Sequence, residues 1–226
     1  MKKNRNALGI ILILIMSCAL MYLVEVYLLP TYFIKSLFKL VLFGVLPLIY
    51  YRVSKDKLKM LFTMVSKKSI LIHMLIGALI YAALLAGYFI LKNFIDLDNV
   101  RLQLGENLKV NKDNFIFIAI YISLINSLLE EVFFRGFGYL SLKKYISESA
   151  ASIISAIMFS IYHVAILNSW FSPWLFLLII GGLFVVGLFF NWINRKNENI
   201  YNSWFIHMFA NFAINTIGLF MFGIIK

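Results

Sequence analysis

Residues 115–135 read FIFIAIYISLINSLLEEVFFR. Nothing in this stretch breaks a helix, since it holds neither glycine nor proline. At about 1.5 Å per residue it covers roughly 31 Å, the thickness of a bilayer's hydrocarbon core. It is apolar on every side until its last turns, where Glu130, Glu131 and Arg135 fall within six positions. A buried or spanning helix has that all-round apolar character, and charge inside a span points to function.

Working outward, six more runs of similar length stand near residues 7–29, 34–52, 70–91, 150–167, 173–193 and 203–223. The pattern predicts an all-α polytopic transmembrane bundle of about seven helices, within a range of six to eight. Residues 1–226 are expected to form one membrane domain. In it, 1–114 supply N-terminal helices and loops, and 115–223 form the core that carries the chemistry. Composition agrees: 62% hydrophobic residues, 14% charged and a mean hydropathy of +0.90 exclude a water-soluble fold. Lys35 and Lys39 intrude on the second run and the fifth is short, features that snorkelling stems and bilayer mismatch can absorb. The basic start before an apolar run resembles a signal peptide, but the run continues to Leu29, so an uncleaved first helix is expected. The single cysteine, Cys18, excludes an internal disulfide and a thiolate zinc cluster.

The net charge of +11 does not imply nucleic acid, because the basic residues sit in short clusters between apolar runs. Lys2, Lys3, Arg5, Arg52, Lys55, Lys57, Lys59, Lys67, Lys68, Lys143, Lys144, Arg195 and Lys196 all fall on one side of a seven-helix topology. The positive-inside rule makes that side cytoplasmic, with the N-terminus inside and the C-terminus outside. Leu58, Leu61, Phe62 and Val65, spaced among lysines, predict a segment lying along the inner leaflet. His73 is expected at the interface, and Glu25 is expected to reach the headgroups.

Three unrelieved charges at 130, 131 and 135 would cost about 8 to 10 kcal/mol on insertion scales, so they must be paired or solvated. Glu131 and Arg135 are four apart and share a helix face, whereas Glu130 is rotated by about 100° and is left without that partner. Adjacent carboxylates in a low dielectric oppose each other's ionisation, which suits Glu130 to take up and return a proton. Two histidines are also intramembrane: His163 follows Phe159 by four, and His207 precedes Asn211 by four.

The ordered set Glu130-Glu131-x-x-x-Arg135, Phe159-x-x-x-His163 and His207-x-x-x-Asn211 resembles the signature of the CPBP family, the CAAX protease and bacteriocin-processing or Abi family that includes type II CAAX prenyl endopeptidases. The resemblance covers about half the chain and implies peptide-bond hydrolysis inside the membrane. Carried over, Glu130 is the general base, His163 helps hold the water, His207 and Asn211 donate to the oxyanion, and Glu131 and Arg135 fix the fourth helix and tune Glu130. The resemblance also admits a metalloprotease with zinc on Glu130, His163 and His207; the favoured reading needs no tightly bound metal. The implied partners are the lipid bilayer and a membrane-embedded peptide or protein. Short bacterial relatives add peptide processing, bacteriocin immunity and sensor regulation in a multi-pass bacterial plasma-membrane protein. Two other functions stay open: a non-catalytic scaffold binding a toxin or membrane sensor, and a small proton-coupled transporter.

One mismatch stands in the sequence. Glu130 and His207 fall toward the cytoplasmic side, while His163 falls about 20 Å from the inner end of a helix begun at residue 150. Either the fourth helix runs on past Gly136 and Gly138, or the fifth starts later and tilts.

Overall fold

The computed structural model describes residues 2–54, 62–63, 65–167 and 170–225 of the chain. Its helices are α1 Asn4–Leu28, α2 Tyr32–Ser54, α3 Lys67–Leu91, the shorter α4 Leu97–Leu108, α5 Phe115–Lys144, α6 Glu148–Leu167, α7 Pro173–Asn194 and α8 Tyr201–Met221. Among the described residues there is no strand, and all but α4 are long and apolar enough to cross a membrane. The protein is therefore a multi-pass membrane protein with the seven expected spans.

Local signals open several of these helices. Ser66 Oγ accepts from Ser69 N at the start of α3, and Ser147 Oγ accepts from Ala150 N at the start of α6. Pro173 begins α7, where its missing N–H leaves nothing unpaired. Small residues then bring spans together. A Cβ on Gly187 of α7 would lie 3.0 Å from Ala156 of α6, tighter than ordinary contact, so glycine eases that approach. The contact of α3 with α8 includes Tyr81 Oη to Thr216 Oγ1 at 3.2 Å and Ser69 Oγ to Asn202 Oδ1 at 3.0 Å.

At the centre stands α5, with every residue from 130 to 142 buried. Phe133 stacks on Phe43 of α2 at 4.1 Å, and Phe134 meets Phe159 of α6 edge-on at 5.4 Å. These rings pack α2, α5 and α6 together in the middle of the bundle. The helix winds as a π-helix over Ile122–Asn126 and again over Glu131–Ser141, a widening often found at functional sites.

That helix also resolves the mismatch in depth. It continues nine residues beyond Arg135, to Lys144, because Gly138 does not end it but lets Leu14 of α1 approach: a Cβ there would meet Leu14 at 3.1 Å. Counted from the α5–α6 turn, Glu130 is then 14 residues back and His163 15 residues forward. The longer α5 thus sets the two residues nearly equal numbers of positions from the turn.

Two expectations are overturned. Lys35 and Lys39 do not snorkel, and Glu25 does not reach outward; all three are buried. Four apart on α2, the lysines point into the bundle, where Lys35 Nζ lies 2.8 Å from Glu25 Oε2 and Lys39 Nζ 2.6 Å from Glu130 Oε1. A cation withdrawn from water is tolerated only beside an anion, and the sequence supplies one for each. His73 is half-buried, bound through Nδ1 to Ser69 O at 2.7 Å. Of the expected leaflet-lying segment, Leu58 and Leu61 fall outside the described residues.

Candidate active site

Glu130 and Glu131 point to different partners, as their rotation on the helix requires. Glu130 Oε1 accepts from Lys39 Nζ and from Asn126 Nδ2, the latter at 3.0 Å and one turn earlier on α5. Its other oxygen, Oε2, faces His207 Nε2 at 3.6 Å. As expected, Glu130 does not share Arg135; its cation is Lys39, which comes from α2, beyond the reach of helical spacing within α5.

Glu131 is fully buried and forms the hub of a second set of contacts. His207 Nδ1 donates to Glu131 Oε1 at 2.9 Å, and Ser203 Oγ donates to Oε2. Asn194, at the end of α7, donates to Ser203 Oγ at 2.6 Å and accepts from Ser203 N at 3.3 Å, pinning the first turn of α8. Arg135 Nε lies 3.6 Å from Glu131 Oε2, so the expected ion pair is present. The guanidinium forms no hydrogen bond among the described residues and is held instead between rings, 3.9 Å from the centroid of Phe159 and 4.9 Å from that of Phe190.

His163 sits at a turn where α6 breaks, and its Nδ1 donates to Phe159 O at 2.7 Å, which leaves Nε2 as its working nitrogen. Its ring packs on Phe159 at 4.7 Å, and Phe159 also touches His207 at 6.1 Å, so one phenylalanine spaces both imidazoles. Asn211 lies one turn beyond His207 on α8 and donates from Nδ2 to Ile122 O at 3.3 Å. The structure therefore brings Glu130, Glu131, Arg135 and His207 into direct contact, joins His163 to them through Phe159, and ties Asn211 to the α5 backbone.

The site has members that the motifs do not name: Lys39, Asn126, Ser203 and Asn194. Asn126 and Ser203 carry a sequence signal, each standing four residues before a motif residue. Asn215 also joins α8 to α5, donating to Ala119 O at 3.0 Å and Ser123 Oγ at 2.9 Å. A metal on Glu130, His163 and His207 fits this arrangement poorly. Glu130 Oε1 is taken by an ammonium group, and among the described residues no three His, Cys, Asp or Glu side chains converge as a ligand group.

The family model described as type II CAAX prenyl endopeptidase Rce1-like matches residues 112–213. No curated protein and no solved structure matches the chain. The matched segment holds Glu130, Glu131, Arg135, His163, His207 and Asn211, so over these residues the chain is similar to the type II CAAX prenyl endopeptidase Rce1-like family.

Proposed function

We propose that the protein is an intramembrane endopeptidase that hydrolyses a peptide bond of a membrane-associated peptide or protein. One observation carries this reading: Glu130 is held by one oxygen while the other, Oε2, faces a histidine inside an aromatic-walled bundle. A carboxylate so held can act as base and then as acid on the same substrate. A water beside Oε2, steadied by His163 Nε2, gives its proton to Oε2 as its oxygen forms a bond to the scissile carbonyl carbon. The C=O electron pair moves to oxygen, making the tetrahedral oxyanion. His207, with Nδ1 donating to Glu131, turns Nε2 toward the reacting centre and in its doubly protonated form donates to that oxyanion. Asn211 has one N–H committed to Ile122 O and a second available to the same oxygen. The carbon–nitrogen bond then breaks as Oε2 returns its proton to the leaving amine.

Substitution at Glu130 tests this reading. Glu130→Gln keeps the shape and the hydrogen bonds but cannot take the proton, so turnover of a labelled membrane peptide falls at least about 100-fold at equal folded protein. Cleavage at the parental rate would leave a non-catalytic scaffold as the better account.

A further inference from the structure

The contact of Lys39 with Glu130 comes from α2, outside the segment that the family model matches. Its Nζ is buried and donates to Glu130 Oε1 at 2.6 Å and to Asn126 Oδ1, and it lies 4.8 Å from the ring centroid of Tyr162. Asn126 Nδ2 donates to the same Oε1 at 3.0 Å, closing a triangle of lysine, asparagine and carboxylate. Both of these bonds fall on one oxygen. The other is left facing His207 Nε2 at 3.6 Å, so the ion pair orients the carboxylate without covering its second oxygen.

The rest of α2 supports that arrangement. Lys35 lies one turn earlier and would set a second cation beside the first, but Glu25 neutralises it at 2.8 Å. Lys39 is thereby free to be balanced by Glu130 alone. A lysine serving as an inhibitory latch would have to reach Oε2, and this one does not.

Resting on the proteolytic reading, we propose that Lys39 is a positioning residue of the catalytic centre: by fixing Glu130 through Oε1 it makes Oε2 the atom that takes and returns the proton. The test is to compare Lys39→Met, Glu130→Gln and their double variant with the parent, in detergent, by peptide cleavage and by thermal unfolding. Lys39→Met lowers kcat about 100-fold, the order expected when a reacting group is misplaced by an ångström, with KM changed less than about threefold. In unfolding, each single change strands a buried charge, whereas the double variant removes both, so its Tm lies above that of Lys39→Met. A single variant that fails to fold beside a double variant that folds is the same coupling in its extreme form.

Faster turnover in Lys39→Met, unchanged kcat, or additive losses of Tm would each overturn the proposal. A parent that cleaves no peptide removes the proteolytic reading and the positioning role with it. Coupling in Tm would then show that the ion pair exists for another purpose.

Discussion

His207 Nδ1 donates to Glu131 Oε1 at 2.9 Å, which makes the second glutamate of the pair the orienter of the imidazole as well as the partner of Arg135. The two adjacent carboxylates thus divide their work by helix geometry. Glu130 reaches Lys39 and the front of the imidazole, and Glu131 holds its back. Replacing Glu131 with Gln preserves the shape but weakens control over which nitrogen of His207 carries its proton. Turnover is expected to fall by about 10- to 100-fold with the protein still folded, measured by peptide cleavage with matched circular dichroism.

Asn211 and Asn215 lie one turn apart on α8 and both donate to the α5 backbone, yet they should behave differently. Asn211→Ala removes a candidate oxyanion donor and lowers kcat by about 100-fold or more with little change in KM. Asn215→Ala removes two interhelical hydrogen bonds away from the imidazoles and lowers stability by about 1 to 3 kcal/mol, with kcat nearly unchanged. Steady-state kinetics beside thermal unfolding separates the two.

Arg135→Ala leaves Glu131 with hydrogen bonds but no cation, and it empties the slot between Phe159 and Phe190. Loss of about 3 to 5 kcal/mol is the usual result of breaking a buried pair, enough to lower the folded yield in membranes. Arg135→Lys should restore little of it, since a compact ammonium does not stack as the planar guanidinium does. Fluorescence-detected gel filtration of both variants measures the yield.

If water is activated by Glu130 and the histidines, thorough chelation leaves the purified activity within about threefold, and elemental analysis finds well under one equivalent of metal. Activity lost to a chelator and recovered with one equivalent of zinc would overturn that account.

The orientation argued from basic residues predicts that a reporter fused after Lys196 is cytoplasmic and one fused after Lys226 is external. Both reporters on one side of the membrane would contradict the expected passage of α8.

The spans were legible because each depends on one local property, about 20 apolar residues in a row. The motif residues were legible because helical spacing joins Glu131 to Arg135 and His163 to Phe159 within single helices. What stayed hidden depends on contacts between helices. Lys39 looked like an intrusion to be snorkelled away because its anion, Glu130, is 91 positions distant, and Glu25 looked exposed because its cation arrives only when α1 and α2 pack. The end of α5 was misplaced for a related reason. Glycines at 136 and 138 signal a helix stop when read alone, while Gly138 against Leu14 shows a packing role that only the neighbouring helix reveals.

Because Glu130 and His163 stand nearly equal numbers of residues from the short turn joining α5 to α6, that hairpin carries them as a matched pair. Sliding or tilting it in response to a thicker or thinner bilayer moves base and imidazole together and leaves their separation intact. Lys39 and His207, however, reach Glu130 from α2 and α8, so a bilayer that shifted the hairpin against those helices would part the carboxylate from both while keeping it beside His163.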